Sequence, residues 1–486
     1  MLRPYQVTAV EAVLGADNPV LTLPTGAGKT VCAVEIIRRH AGPVLFLAHR
    51  RELIAQAAAH LLRYGITAGV IQSGYAEHRN RPVQVASVQT LSRRTLPAAT
   101  LIIIDEAHHA RAESYLKILD AYDCPRIGLT ATPARLDGRG LGKIFNTIIV
   151  GATARELCDD GTLIAPTVYA APAPSMSGVA VERGDYNLTM AAERFDRAKI
   201  TGDIVAHWRK HASGRRTVVF AINVAHSKHI VERFGSIAEH LDGSTPHDVR
   251  AGILRRLRSG ETRVVSNCQV LTEGWDLPAL EVAVIARPTA SVVLHLQMIG
   301  RIMRAADGKA GALCLDHAGN HHRHGMVTDD RVWSLADDKP KQVKSTIRTC
   351  PACYLIIPAG ATECDGCGYT FPSRPVAVVK EADGTLSLLN KLPFATRQAA
   401  WNQFEAQRIQ FNFKPGYSLA RYKQKFGDWP LVHDGQLIEH PNHAAILSDL
   451  VAVARRKGYK TGWAAFLFKT KFHRWPTREE RANAGL

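Results

Sequence analysis

Leu23-Pro24-Thr25-Gly26-Ala27-Gly28-Lys29-Thr30 is the stretch whose reading decides the fold. Residues 20–23 before it are apolar-rich and read as a short buried strand; residues 31–39 after it carry a helical pattern. The stretch fits the phosphate-loop pattern G-x-x-x-x-G-K-[ST] with Leu23 where the pattern has its first glycine. Gly26 and Gly28 allow the backbone to turn successive N–H groups inward around phosphate oxygens, with Pro24, Thr25 and Ala27 completing the cradle. Lys29 has the reach for β- and γ-phosphates, and the Thr30 hydroxyl suits Mg²⁺. The following helix would meet those phosphates with its N-terminus. An ordinary glycine turn between strand and helix looks the same in isolation. The later motifs, which need the same nucleotide, decide against that reading.

Around this loop, residues 1–166 alternate short apolar runs (20–23, 44–48, 83–87, 101–104, 126–129) with helical patterns (31–40, 51–64, 114–121). Strands separated by helices predict a doubly wound parallel sheet, with functional residues beyond the strands' carboxyl ends. Two candidates fall there. The run 102–104 ends in Asp105-Glu106-Ala107-His108, where Asp105 suits the Mg²⁺ shell and Glu106 suits polarising an attacking water. Thr130-Ala131-Thr132 follows the next apolar run. Residues 167–200 read as an interdomain linker. Residues 201–335 repeat the α/β pattern, with strands over 217–221, 263–266, 282–285 and 311–315, helices over 226–234 and 249–258, and no second phosphate loop. Gln297-Met298-Ile299-Gly300-Arg301-Ile302-Met303-Arg304 places two arginines three apart, on one face if the segment is a helix. The competing reading is a solvated basic face.

Taken in order, these motifs resemble those of superfamily 2 helicases of the DEAH-box type, most nearly the RadD-like and XPB-like branch. The resemblance covers roughly residues 1–335 and implies two tandem RecA-like domains with ATP bound between them. It implies that Arg3 and Gln6, in Leu2-Arg3-Pro4-Tyr5-Gln6, recognise adenine, and that Lys29, Asp105 and Glu106 carry hydrolysis. His108, Thr130 and Thr132 would couple hydrolysis to movement. Asn267-Cys268-Gln269-Val270-Leu271-Thr272-Glu273-Gly274-Trp275-Asp276 resembles motif V and contributes Gly274 and Asp276 to the nucleotide site. Gln297, Arg301 and Arg304 belong to motif VI, with one or both arginines as fingers to the γ-phosphate. His49 and Arg50 (motif Ia) and Gln89 and Thr90 (motif Ib) would contact a nucleic-acid backbone. The implied activity is an ATP-dependent DNA helicase or translocase in DNA repair, recombination or replication. The alternatives are a nucleic-acid-stimulated ATPase that remodels protein–DNA complexes without unwinding, and a nucleic-acid-binding scaffold. The complete hydrolytic set argues against the scaffold.

Composition agrees with a polyanionic partner. The 486 residues carry a formal charge of +17, which favours DNA, single-stranded or duplex, with RNA open. No apolar run reaches the length of a membrane span and no signal peptide is visible, so a cytoplasmic protein without a membrane partner is expected. Of nine cysteines, four form the knuckles Cys350-Pro351-Ala352-Cys353 and Cys364-Asp365-Gly366-Cys367. That spacing predicts a structural Zn²⁺ ribbon over 345–373, its turns helped by Gly366 and Gly368. The clustered His317, His321, His322 and His324 read as a histidine-rich loop rather than a metal site.

The last region, 396–486, reads as mainly helical and repeats at an offset of 46: Lys423, Lys425, Phe426, Trp429 and Pro430 recur as Lys469, Lys471, Phe472, Trp475 and Pro476. Leu419, Tyr422, Phe426 and Trp429, like Ala465, Phe468, Phe472 and Trp475, are spaced as an apolar helical stripe, expected to form a core. Fifteen Lys and Arg stand against seven Asp and Glu in this region. The lysines Lys423, Lys425, Lys469 and Lys471 suit phosphate contacts; docking of a partner protein suits the same duplication equally.

Overall fold

The computed structural model describes residues 2–134, 139–170, 173–182, 184–196, 198–272, 274–337, 347–372, 393–414, 416–427, 429–430, 432–433, 436–437, 443–460, 462–472 and 474–486. The chain divides into two units, Met1–Arg374 and Pro375–Leu486.

The first lobe of the first unit comprises α1 (Pro4–Leu14), β1 (Pro19–Thr22), α2 (Lys29–Arg39), β2 (Val44–Ala48), α3 (Arg51–Arg63), β3 (Gly69–Ile71), β4 (Val83–Ser87), α4 (Val88–Leu91), β5 (Leu101–Asp105), α5 (Glu113–Leu119), β6 (Arg126–Thr130) and β7 (Thr147–Val150). Its strands form one sheet in the order β3-β4-β2-β5-β6-β1-β7, with every pairing parallel. Helices cover both faces, which is why the inner strands are unbroken apolar runs rather than alternating ones. Val44 and Phe46 of β2 enter the core shared with α1, α2 and α3, while Leu45 and Leu47 enter the opposite core with Tyr115 and Ile118 of α5.

The second lobe comprises α6 (Ala154–Asp159), β8 (Pro166–Ala170), β9 (Val181–Glu182), β10 (Asp185–Tyr186), α7 (Leu188–Phe195), α8 (Ala198–Ala212), β11 (Thr217–Phe220), α9 (Val224–Phe234), β12 (Ala238–Leu241), α10 (His247–Ser259), β13 (Val264–Asn267), β14 (Val282–Ile285), α11 (Val292–Gly300), β15 (Ala312–Asp316) and α12 (Asn320–His324). Its six-stranded parallel sheet runs β12-β13-β11-β14-β15-β8. Two α/β lobes with parallel sheets are thus the fold that the sequence pattern implies. The boundary drawn from sequence at residue 166 needs correction: residues 166–170 are the edge strand of the second sheet, paired with β15. The region expected to be a linker also holds α7, and Asp185, which pairs with Arg287 at 2.8 Å.

The histidine-rich segment is not a loop. It is the short helix α12, with His321 and His324 buried. Asp316 accepts from both the backbone N–H and the ring of His321 at 2.8 Å, and the His324 ring contacts the Thr289 carbonyl at 2.9 Å.

The first cysteine knuckle joins the strands of an antiparallel hairpin, β16 (Ile347–Thr349) and β17 (Ile356–Pro358), and the second follows β17. This ribbon covers the open edge of β8: the Ala170 N–H donates to the Tyr354 carbonyl at 2.9 Å and Tyr169 bridges Leu355. An uncovered strand edge invites mispairing, so the ribbon has a structural use here. Each knuckle turns through a left-handed residue four positions after its first cysteine, Tyr354 (φ 65°) and Gly368 (φ 71°). Gly366 has no such φ; a Cβ there would meet Leu355 Cδ2 at 2.8 Å, so its smallness serves packing rather than the turn.

The second unit holds α13 (Phe394–Gln410), α14 (Gly416–Phe426), a small antiparallel pair β18 (Val432–His433) and β19 (Gln436–Leu437), α15 (His443–Lys457), α16 (Gly462–Phe472) and α17 (Arg478–Asn483). The duplication is a pair of helical hairpins. The first closes on Trp401, Phe404, Tyr422 and Phe426, the second on Leu447, Val451, Ala464 and Phe468. Trp429 and Trp475 were expected in those cores but are 60% and 49% exposed. Helices α14 and α16 stop at Phe426 and Phe472, so the stripe does not continue to the tryptophans. Among the described residues, no helix is long and apolar enough to cross a membrane.

Candidate nucleotide site and nucleic-acid interface

Strands β5, β6 and β1 lie side by side, so their carboxyl ends bring Asp105, Thr130 and the phosphate loop together. Gly26 and Gly28 both take left-handed backbone, φ 91° and 82°, and Gly28 caps α2. Lys29 Nζ donates to the carbonyls of Leu23 (3.1 Å) and Pro24 (3.5 Å). Burial lowers the Lys29 pKa, against the pull of Glu106 and Asp105. The Asp105 carboxyl is pushed well above the usual range by burial and then by neighbouring Glu106. A divalent cation beside Asp105 would remove that penalty, so the Asp105 carboxylate and Thr30 hydroxyl fit Mg²⁺ as hard oxygen donors. Glu106 has φ 49°, a left-handed conformation that non-glycine residues rarely adopt. Local strain of this kind concentrates at functional sites. Its Oε2 lies 3.4 Å from His108 Nδ1, which also lies 3.1 Å from Thr130 Oγ1. Thr130 Oγ1 in turn donates to the Thr132 carbonyl at 2.9 Å. An unbroken chain of contacts therefore runs from Glu106 through His108 to Thr132.

The N-terminal element grips the phosphate loop from behind. Gln6 Nε2 and the Tyr5 hydroxyl both donate to the Ala27 carbonyl, at 3.2 and 2.8 Å. Gln6 Oε1 accepts from the Arg3 backbone N–H at 3.0 Å, and the Arg3 guanidinium bonds Thr162 Oγ1.

The second lobe closes on this site. A Cβ on Gly26 would meet Arg304 Cγ at 2.7 Å, and one on Gly300 would meet Thr25 Cβ at 2.7 Å. Arg304 pairs with Asp276; burial lowers its pKa to about 10, which leaves it charged at neutral pH. Arg301 does not share this placement. Its guanidinium donates to the carbonyls of Trp275 (2.5 Å) and Thr272 (2.8 Å), holding motif V. The expected common face fails because α11 ends at Gly300 and Arg301 caps it, while Arg304 lies beyond, bridged to Leu163. Gln297 is buried on α11. Motifs Ia and V also meet: Arg50 Nη1 donates to the Val270 carbonyl at 3.4 Å, Gln56 Nε2 to the Gly274 carbonyl at 3.0 Å, and Arg250 pairs with Glu52 at 3.0 Å. His49 lies against His109, their rings tilted by 52° with centroids 4.1 Å apart. Gln89 is exposed and Thr90 half-buried on α4, which follows β4 directly.

A second tie between lobes escaped the sequence reading. Leu335 packs into the first lobe's core, its carbonyl accepts from the Gly142 N–H at 2.9 Å, and Asp337 accepts from the Gly140 N–H at 2.7 Å. No motif marks this strap; the short apolar-rich run 332–336 ahead of a charged stretch is its one sequence signal.

The four cysteine sulfurs lie within 4.8 Å of one another, and they are the metal-competent cluster of three or more ligands among the described residues. Cys350–Cys367 and Cys353–Cys364 are each 3.6 Å apart. A tetrahedral site with Zn–S of about 2.3 Å needs sulfurs about 3.8 Å apart, so the cluster is compatible with zinc. In the second unit, Lys423 Nζ lies 4.4 Å above the Trp429 ring and Lys469 Nζ 4.7 Å above Trp475. Lys425 is exposed; the Lys471 side chain lies outside the described residues.

Comparison with known proteins agrees with this geometry. The family "Type III restriction enzyme, res subunit" matches residues 1–135 and "Helicase conserved C-terminal domain" matches residues 197–306. A "51.5 kDa protein" of a Lactococcus phage is 32% identical over 383 residues, covering 76% of this chain and 81% of the relative. "Putative ATP-dependent helicase IRC3" of Saccharomyces cerevisiae is 31% identical over 358 residues, 66% of this chain and 52% of the relative. "DNA 3'-5' translocase XPB2" of Sulfurisphaera tokodaii is 25% identical over 359 residues, 64% of this chain and 80% of the relative. Among solved structures, a fragment of a putative HsdR subunit of a type I restriction enzyme from Vibrio vulnificus shares the fold, with TM-score 0.51, 22% identity, 66% of this chain and 64% of that one. The chain spans about half the length of the yeast relative. With both lobes matched and the nucleotide motifs gathered in the cleft, the chain belongs to the superfamily 2 helicases.

Proposed function

We propose that this protein is an ATP-dependent DNA helicase or translocase of the DEAH-box type, acting in DNA repair, recombination or replication. The observation that carries the reading is Arg304: a charged group of the second lobe rests on Gly26 of the first lobe's phosphate loop, where a γ-phosphate would lie. Hydrolysis there depends on both lobes at once, which is what couples chemistry to movement.

In this reading Lys29 exchanges the Leu23 and Pro24 carbonyls for β- and γ-phosphate oxygens. Glu106 accepts a proton from water as its oxygen bonds the γ-phosphorus and the bond to the β–γ bridging oxygen breaks, leaving ADP and phosphate. Thr30 and Asp105 would hold Mg²⁺, which would supply Lewis-acid neutralisation of phosphate charge. Arg304 leaves Asp276 to neutralise charge on the transferring group, while Arg301 keeps the motif V backbone in place. His108, Thr130 and Thr132 relay the state of Glu106 into the sheet. Arg3 and Gln6 sit behind the loop on the adenine side, and Gly274, Asp276 and Gln297 complete the second lobe's wall. His49, Arg50, Gln89 and Thr90 face the nucleic-acid track, with Arg50 shared between that track and Val270. The basic charge and the DNA translocase among the relatives support DNA. The cysteine ribbon holds one structural Zn²⁺.

The test is ATP hydrolysis by the purified protein with single-stranded DNA, duplex DNA and RNA, alongside a strand-separation assay. Stimulation by DNA with unwinding supports the helicase; stimulation without unwinding supports a translocase. No stimulation by any nucleic acid overturns the reading.

A further inference from the structure

The duplicated hairpins carry more than a core. Each closes on its own buried side chains without the tryptophan that follows it, so Trp429 and Trp475 are surplus to folding. Both lie three residues past their helix, exposed, with a lysine ammonium over the ring. A second pair of rings is duplicated at the same offset: Phe413 against Tyr417, centroids 4.5 Å apart, and Tyr459 against Trp463, 4.8 Å apart. Phe413 and Tyr459 are 43% and 46% exposed.

We propose that each repeat is a clasp for single-stranded nucleic acid, in which the exposed tryptophan stacks on an unpaired base and the lysine beside it meets the adjoining phosphate. This rests on the reading above only for the class of partner. A lysine–indole contact contributes about 0.5–1 kcal/mol at an exposed site, enough to hold ring orientation yet weak enough to yield to a phosphate. A ligand that satisfies both an open ring face and an ammonium beside it, twice over, is a chain of flat bases on a charged spine. The bases must be unpaired, because duplex stacking hides their faces. The excess of fifteen cationic over seven acidic side chains in 396–486 favours the same ligand over an apolar protein patch. Two clasps on one chain also reinforce each other, since the second contact forms at high effective concentration.

The experiment is equilibrium binding of the full chain, without nucleotide, to labelled oligo-dT, oligo-rU and a duplex of equal length. Wild type is compared with W429A, W475A, W429A/W475A, W429F/W475F and K423A/K469A. Each Trp→Ala change should weaken single-strand binding about 5-fold or more, and the double change should weaken it further. The double Phe variant should recover most of the loss, which separates stacking from misfolding. K423A/K469A should flatten the log affinity versus log salt slope by about 1.4. A loss with dT identifies DNA as a ligand, and a loss with rU alone identifies RNA; both support the clasp. Unchanged single-strand affinity in W429A/W475A overturns it and leaves the rings to a partner protein. ATP hydrolysis by wild type tests the motor separately: normal hydrolysis with unchanged binding in W429A/W475A sinks the clasp alone, and absent hydrolysis with the tryptophan effect intact sinks the motor alone.

Discussion

Replacing Arg304 and Arg301 one at a time should give two different failures. Arg304 rests against Gly26 with its charge retained, paired with Asp276, which is about half exposed. Removing it leaves Asp276 able to hydrate, so the fold loses little, about 1 kcal/mol or less for a partly exposed pair. Its proposed work is on charge that develops as the γ-phosphate transfers, where a finger contributes about 10³-fold or more. R304A should therefore lower kcat by about three orders of magnitude while nucleotide affinity changes less than tenfold. Arg301 donates to two carbonyls of motif V from a buried position. Charged hydrogen bonds contribute about 1.5–3 kcal/mol each, so R301A should destabilise the second lobe by roughly 3 kcal/mol or more. Its activity should fall because motif V is no longer held. The assay is steady-state and single-turnover ATP hydrolysis with DNA, beside thermal unfolding of each variant. The distinction collapses if R304A keeps kcat within tenfold of wild type, or if R301A unfolds at the wild-type temperature.

Glu106→Gln should abolish turnover yet retain ATP binding, because Asp105 and Lys29 survive; turnover near wild type in a DNA-stimulated assay would refute it. Gly26→Ala adds a side chain 2.7 Å from Arg304 Cγ at a φ of 91°, so its kcat should match that of R304A, and a G26A/R304A double variant should lose little more; additive losses would show that the two do not act together. Purified protein should hold one zinc per chain and Cys353→Ser should lose it, measured by metal analysis; a metal-free ribbon with intact fold contradicts the assignment. Burial holds the His317 and His324 imidazoles down to about 3 and 4. The unfolded chain then binds more protons than the folded one below pH 6.5, so stability should fall as pH drops from 6.5 toward 4, by up to about 1.4 kcal/mol per pH unit for each histidine. Denaturant unfolding at pH 7, 5.5 and 4.5 checks this, and a flat profile counts against it.

The sheets were legible because parallel strands buried on both faces are continuous apolar runs, and those read from sequence match the observed ones within one residue. The phosphate loop was legible because only glycine takes φ near 90° without strain. Four strands of the two sheets were not: β3, β7, β8 and β12. β12 reads Ala-Glu-His-Leu, half polar, and β3 is three residues long. β8 pairs with β15, which lies far along the chain, so nothing local marks it as part of the second sheet. Two site errors share one cause. Arg301 and Arg304 were placed on a common face, and Trp429 and Trp475 in a core stripe, by continuing a helical period past the point where the helix stops. Gly300 closes α11, and the segments before Pro430 and Pro476 leave the helix at Phe426 and Phe472. In both cases the side chain beyond the break is the one that reaches outward.

The groups around the phosphate loop are tied to one another, and these ties bear on the proposed binding of ATP. Lys29 spends its donors on Leu23 and Pro24, Gln6 and Tyr5 share the Ala27 carbonyl, and Arg304 leans on Gly26 against Asp276. In the proposed function Lys29 and Arg304 exchange these partners for phosphate oxygens, and a charged oxygen is the stronger acceptor for both. Arg304 alone among these groups belongs to the second lobe, so its proposed exchange from Asp276 to phosphate would tie occupancy of the cleft to the position of motif V. Motif V is in turn held by Arg301 and touched by Arg50 and Gln56 of the first lobe. In the proposed function, nucleotide state reaches the seam between lobes through backbone carbonyls at Thr272, Trp275, Val270 and Gly274, a route in which the two arginines of one short motif would do opposite jobs: Arg304 would sense phosphate while Arg301 holds the segment that carries the signal.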